Sequence, residues 1–393
     1  FSTHKAFLNQ LAGHRFKKAG SVFVSLDNVY LAEQEEIDKM ISKAKAQTKN
    51  DLAKLPTADT SGVISDFLDS IPDVAKQLGS AEFILNVNPS GIGLNFQFTA
   101  KDDTSLAKTW SQLQGAEHAL LKKAPIDTVA FGSVAFSPSS KSTKLQKSLL
   151  DFSLQMIKTF NKVDPKLAKK VEEGATAFLE QMTGHFLAIV HPYPGSNGLL
   201  PSIITGIKDV DRARLAFDKN TKASNEMLTA MQMGVSSGFS QYKIGDAPVT
   251  VQKTNYGSAS PMMAMFSALM ETHTVIAKGM SIVAYGADAK PELERAIKGA
   301  DEGFTKTVDV KRLLGEGVSN AFLYAFISPV KLMQRVSLGG MNPFAATLTG
   351  LQAQGGLGFV LGVDDSTLDF LIDVPTALLK DGMAVFTRIK GGM

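Results

Sequence analysis

The residues best spaced for chemistry are Gly234-Val235-Ser236-Ser237-Gly238. They match the G-x-S-x-G turn on which a strand hands a serine nucleophile to a helix, and Asp246 and His273 follow in the order of a Ser-Asp-His triad. The flanks run the other way round. Met227, Leu228 and Met231 mark a helix before the serine, and strand-like sequence follows it. A serine hydrolase at Ser236 therefore ranks last among the readings of this chain.

Other patterns carry less. Ser105-x-x-Lys108 and Ser328-x-x-Lys331 have the S-x-x-K spacing of acyl-transfer serines, but their S-D-N and K-T-G companions are missing. Ser105 reads better as a residue of a helix's first turn. His185 and His191 stand six apart, which would set both on one face of a strand, yet no third histidine and no H-E-x-x-H completes a zinc site. Asp209/Asp211 and Asp364-Asp365 do not continue into a calcium loop and read as cap and turn residues. Gly355-Gly356-Leu357-Gly358 precedes a strand, whereas a dinucleotide loop follows one, and no phosphate-binding G-x-x-x-x-G-K-[ST] exists. No catalytic residue, metal or cofactor is assigned, and an enzyme is the less favoured class.

Composition narrows the class. The chain has 393 residues, 44% hydrophobic and 20% charged, enough for a large core and too apolar for disorder. The net charge is +3, and only seven of its 41 basic residues are arginine. That balance lacks the guanidinium forks that read phosphates and bases, so nucleic acid is excluded as a partner. Cysteine is absent, which removes disulfides, thiolate metal sites and cysteine nucleophiles and suits an oxidising compartment. No apolar run reaches the length of a bilayer span. The chain opens on Phe1, read as the product of leader removal. The expected location is extracytoplasmic, periplasmic or secreted, with an organelle as the alternative.

Two compositional clusters are the candidate binding surfaces. Met227, Met231, Met262, Met263, Met265 and Met270 belong to a methionine-rich segment, 227–280, of the kind that lines adaptable apolar grooves. Lys141, Lys144, Lys147, Lys158 and Lys162 make a basic stretch suited to an acidic partner or an anionic membrane surface.

The elements that must position these residues alternate between strands and helices. Period-two runs mark hairpins at 83–99, around Pro89-Ser90-Gly91, and at 357–374, around Asp364-Asp365-Ser366. Further strands fall at 20–28, 129–136, 186–190, 199–207, 239–254, 280–286 and 321–327. Helical spacing joins Leu106, Trp110, Leu113, Leu120 and Leu121, and again Leu167, Val171, Phe178 and Met182. Phe131 to Pro138 (FGSVAFSP) echoes Phe322 to Pro329 (FLYAFISP), which suggests internal duplication. The expected fold is α+β and elongated: antiparallel or mixed sheets under long amphipathic helices, in two similar lobes, 1–180 and 181–393. The expected function is a non-enzymatic extracytoplasmic binding or scaffold protein, part of a larger assembly or self-associating. A carrier of a lipid or other apolar ligand is the alternative.

Overall fold

The computed structural model describes residues 19–26, 72–138, 164–193, 198–230, 236–255, 271–299, 303–315, 318–335 and 355–391, with isolated residues between 34 and 47 and between 348 and 353. Thirteen strands occur among them: β1 (Ala19–Ser25), β2 (Leu78–Asn88), β3 (Gly91–Ala100), β4 (Ala130–Ala135), β5 (Met182–Pro192), β6 (Leu199–Ile207), β7 (Ser236–Ile244), β8 (Ala247–Asn255), β9 (Glu271–Ala277), β10 (Met280–Tyr285), β11 (Ala321–Ile327), β12 (Leu357–Asp364) and β13 (Thr367–Pro375). Seven α-helices accompany them: α1 (Ser105–Trp110), α2 (Pro165–Glu180), α3 (Val210–Ala230), α4 (Ala289–Lys298), α5 (Val308–Gly315), α6 (Pro329–Arg335) and α7 (Thr376–Gly391). Two 3₁₀ turns, Ala119–Lys123 and Phe304–Lys306, complete the set.

All thirteen strands form one antiparallel sheet, in the order β1-β2-β3-β13-β12-β11-β4-β5-β6-β10-β9-β8-β7. This corrects the expectation of two lobes with antiparallel or mixed sheets. Strand pairing passes straight across residue 180: β4 pairs with β5, and β3 with β13. The two echoing segments are β4 and β11, and they pair with each other, Phe131 opposite Phe326 and Ser133 opposite Tyr324. Neighbouring central strands answer one environment, which accounts for the similar alternation; duplication is not shown.

Register can be followed through the whole sheet. One row of facing residues runs Ser21, Ile84, Asn95, Leu371, Val360, Tyr324, Ser133, Leu187, Ile204, Ile282, Val275, Val249 and Tyr242. From Leu371 to Val249 this row is the floor of the main core, which α4, α5 and both 3₁₀ turns cover through Leu293, Leu313, Leu121 and Phe304. Phe131 and Phe326 stack there with centroids 5.9 Å apart, and Phe304 meets Phe131 edge-on at 5.4 Å.

On β2, β3 and β13 the polarity inverts. The face that holds the core elsewhere carries Glu82, Gln97, Asn95, Asp369 and Asp373. The apolar side is the opposite one, where Phe83, Phe96, Phe370 and Phe359 form a run of ring contacts at 4.8, 5.9 and 6.3 Å. That second face is covered by α1 near β11 and β12, through Trp110 and Leu113 against Leu323 and Leu361, and by α2 and α3 near β9. Gly174 lets α2 and α3 touch: a Cβ there would collide with the backbone of Asn220.

The apolar stripe from Leu106 to Leu121 is not one helix. α1 stops at Trp110, and the 3₁₀ turn begins only at Ala119. Trp110 and Leu113 pack on one face of the sheet and Leu120 and Leu121 on the other. Residues between them carry the chain round the ends of β4 and β11, held by the Gly115–Phe136 bridge. Gly115 is required there, because a Cβ would strike the Ala321 carbonyl.

Ile204 is fully buried in the central row, far along the sheet from the single tryptophan, Trp110. Ile204→Ala is expected to cost about 3 kcal/mol of stability. In one continuous sheet, Trp110 fluorescence and far-UV circular dichroism move to the same lower denaturant midpoint. A Trp110 transition left where it was would contradict the single sheet.

Candidate functional site

The crossing segment builds a pocket. His118, just before the 3₁₀ turn, lies over the central row, and a cavity of about 460 Å³ opens between residues 115–122, Thr305, Leu314 and the start of β11. Asn320, in the left-handed region at φ 49°, and the register shift at Ala321 turn the backbone into the rim. Leu121, Leu314 and the Tyr324 ring supply apolar wall. Glu117 and Lys122 pair at 3.2 Å, both exposed.

Ser133 is the hydroxyl interrupting the apolar row between Leu187 and Val360, and it is buried at 1% exposure. His118 Nδ1 lies 2.8 Å from its Oγ, and Nε2 lies 3.4 Å from the Ala321 carbonyl. A carbonyl only accepts, so Nε2 carries the proton and Nδ1 accepts from Ser133. The Tyr324 ring meets the imidazole edge-on at 4.7 Å. Burial pulls the His118 pKa down; the Ala321 carbonyl opposes and the charge of His185 assists, leaving it at about 4.

This is a serine hydrogen-bonded to an oriented histidine, the arrangement of a nucleophile and its base. Two facts weigh against that use. The serine is sealed under the imidazole. A base of pKa about 4 has little driving force to take a hydroxyl proton near neutrality. What remains is a neutral imidazole wall, both nitrogens already bonded, in a half-apolar pocket. The Tyr324 hydroxyl has no hydrogen-bond partner among the described residues, and burial raises its pKa.

The triad read from sequence does not assemble. Ser236 opens β7 opposite Asn255, while His273 faces Val251, four residues further along β8 and about 13 Å away along the strand. Asp246 lies past the far end of β7. Both ring nitrogens of His273 are engaged, Nδ1 with the Tyr242 hydroxyl at 3.1 Å and Nε2 with Glu271 at 3.0 Å. Ser105 binds Gln77 at 2.7 Å and Lys108 the Asp103 carbonyl at 3.0 Å. Ser328 is buried against the Gly355 carbonyl. Asp209 caps α3 through the amides of Asp211 and Arg212, and Asp365 sits at φ 53° in a hairpin turn. Gly356 leaves room for the Phe326 ring, so this glycine run serves packing.

Of the methionine candidates, Met227 lies buried in α3; Met231, Met262, Met263, Met265 and Met270 fall outside the described residues. Lys141, Lys144, Lys147, Lys158 and Lys162 also fall outside them. Among the described residues no group of three metal-ligating side chains occurs, and no helix is long and apolar enough to cross a membrane.

The family models, curated proteins and solved structures compared with this chain contain no match.

A second polar cluster is structural. Glu292, on α4, is fully buried. It accepts from Arg295 Nε and NH2, each at 2.7 Å, and from Ser202 at 3.0 Å, and His191 Nε2 stands 3.2 Å away. Burial alone would raise its carboxyl, but the hydrogen bonds and charges of His191 and Arg295 prevail and hold it at about 2. The third Arg295 nitrogen, NH1, donates to the Lys123 carbonyl at 2.6 Å and so anchors the 3₁₀ turn behind His118.

Sequence reading passed over His118, Ser133 and Tyr324. The visible signal was Ser133, a hydroxyl on the apolar side of the Phe131–Ser133–Ala135 alternation.

Two outcomes follow. The unfolded chain takes up a proton at His118 near pH 6.5, whereas the folded one resists until about 4. Stability is therefore expected to fall as pH drops through that window. His118→Asn, measured by denaturant melts from pH 7 to 4, should flatten that part of the profile; an unchanged slope would refute the assignment. Glu292→Ala strands a buried histidine and serine and a partly buried arginine, and is expected to destabilise the fold by about 3–5 kcal/mol, read from the same melts.

Proposed function

We propose that the protein is a non-enzymatic binding protein and that its ligand docks in the pocket over His118. The carrying observation is the Ser133–His118 pair. Its serine is sealed, its imidazole is neutral and weakly basic, and its pocket offers Tyr324, Asn320 and Thr305 beside apolar wall. Such a lining suits a ligand with an apolar body and one or two uncharged hydrogen-bonding groups, or a partner protein's side chain of that kind. The want of cysteine supports an extracytoplasmic setting. The broader reading, a scaffold that assembles with other proteins, rests on this pocket only where the ligand is a side chain.

Native mass spectrometry of gently purified protein tests this. The expected result is the 42.1 kDa chain with an added small molecule or partner, reduced at least severalfold in occupancy by Tyr324→Phe, which keeps the packing and removes the hydroxyl. Undiminished occupancy in that variant, or a bare monomer, would count against the pocket. Covalent labelling of Ser133 by a fluorophosphonate would overturn the non-enzymatic reading.

A further inference from the structure

At the end of the sheet where the β7–β8 and β9–β10 turns emerge, the start of α3 and the end of α4 enclose a cleft of about 660 Å³. Arg214, Lys278 and Lys298 line it, together with Asp246 and Glu294. A fourth cation stands beside it. Lys123, at the end of the 3₁₀ turn, brings its ammonium against Gly299, which follows Lys298.

The arginines are already engaged. Arg214 donates to the Ile276 carbonyl at 2.9 Å and lies 3.6 Å from Asp211. Arg295 is occupied by Glu292 and the Lys123 carbonyl. The lysines are not: among the described residues no carboxylate lies within ion-pair distance of Lys123, Lys278 or Lys298. Burial lowers the Lys123 pKa first, and the charges of Lys278 and Arg295 lower it further. Three lysines thus gather here outside any ion pair among the described residues, with Asp246 and Glu294 in the same cleft.

Helix electrostatics accounts for part of the gathering. Lys298 and Arg295 occupy the last turn of α4, where cations answer the helix's negative end. Lys123 and Lys278 come from other elements, and the dipole does not explain them. Lys278 is moreover held at φ 50°, next to Gly279 at φ 71°, in a turn position where Asn or Gly is the usual occupant.

We infer that this cleft binds the phosphoryl group of a small hydroxylated phosphate monoester, with Lys123, Lys278 and Lys298 around the phosphate and Asp246 and Glu294 accepting from the hydroxyls. The lysines decide the anion: three ammonium points suit a compact, multiply charged oxyanion, whereas a planar carboxylate is matched by a free guanidinium fork. The two carboxylates decide the rest of the ligand, because a wholly anionic molecule would meet them unfavourably. The site is separate from the His118 pocket, and neither reading depends on the other.

The test uses the full chain in low-salt buffer and isothermal titration with glycerol 2-phosphate, against sulfate and glycerol as controls. The expected result is one saturable site for glycerol 2-phosphate, at least tenfold tighter than for sulfate. The double substitution Lys278→Gln/Lys298→Gln should weaken it at least tenfold while the melting temperature stays within a few degrees, since both side chains are exposed. Absent saturable binding, or equal affinity in the double variant, would overturn the site. Sulfate binding as tightly as the monoester would overturn the choice of ligand.

Discussion

The antiparallel pairing of β4 with β11 is the constraint on which the rest of the fold depends. It joins strands from distant parts of the chain, and strand pairing extends outward from it to β1 on one side and β7 on the other. A one-residue slip there would invert one strand against the other, turning Phe131 or Phe326 out of the core and bringing Gly132 or Ala325 in. Phe304 would lose one of its two aromatic partners, and with it part of the seat of the segment leading into α5. The pocket stands on the same pairing: Ser133 and Tyr324 face each other across it, and His118 rests on both.

The sheet does not keep one dry face and one wet face throughout; it changes sides. Around β4 to β9 the main core lies on the face with α4 and α5; around β2, β3 and β13 the phenylalanines are on the other. The exchange has a local cost. Asp369 is buried, and desolvation raises its carboxyl. Asp373 is buried too, but Arg312, reaching from α5, pairs with it and also holds the Ser90 carbonyl of the β2–β3 turn. A single guanidinium thus fastens the helix layer to the polar flank. The crossing segment 111–118 runs where the two regimes meet, which is why its apolar residues divide between the faces.

That division explains what the sequence could and could not tell. The hairpins at 83–99 and 357–374 were legible because every second residue meets the same surroundings, and α2 was legible because Asp164 caps it and Pro165 opens it. β9 was not: Thr274, Val275 and Ile276 are all buried, so both faces are covered and no alternation survives. Leu113 and Leu121 share a helical phase by accident of spacing and end on opposite sides of the sheet. Strand order was out of reach, because β3–β13 and β4–β11 are non-local pairings that no local pattern encodes. At the candidate site, Ser133 was visible as a polar residue in an apolar phase. His118 was an ordinary histidine in a polar stretch, and only the backbone crossing brings the two together.

The 3₁₀ turn Ala119–Lys123 links two unlike electrostatic settings within five residues. At its start burial keeps an imidazole neutral; at its end Lys123 lies near the charges of Lys278 and Arg295. Between them Leu121 is buried in the main core, and the Lys123 carbonyl is held by Arg295, itself clamped by Glu292. The buried ion network therefore does more than fill α4's inner face. It fixes the short element that lines the His118 pocket and carries Lys123, and fixes it by a hydrogen bond to backbone, which leaves the Lys123 side chain out of the anchoring. The ammonium is left available to whatever occupies the cleft.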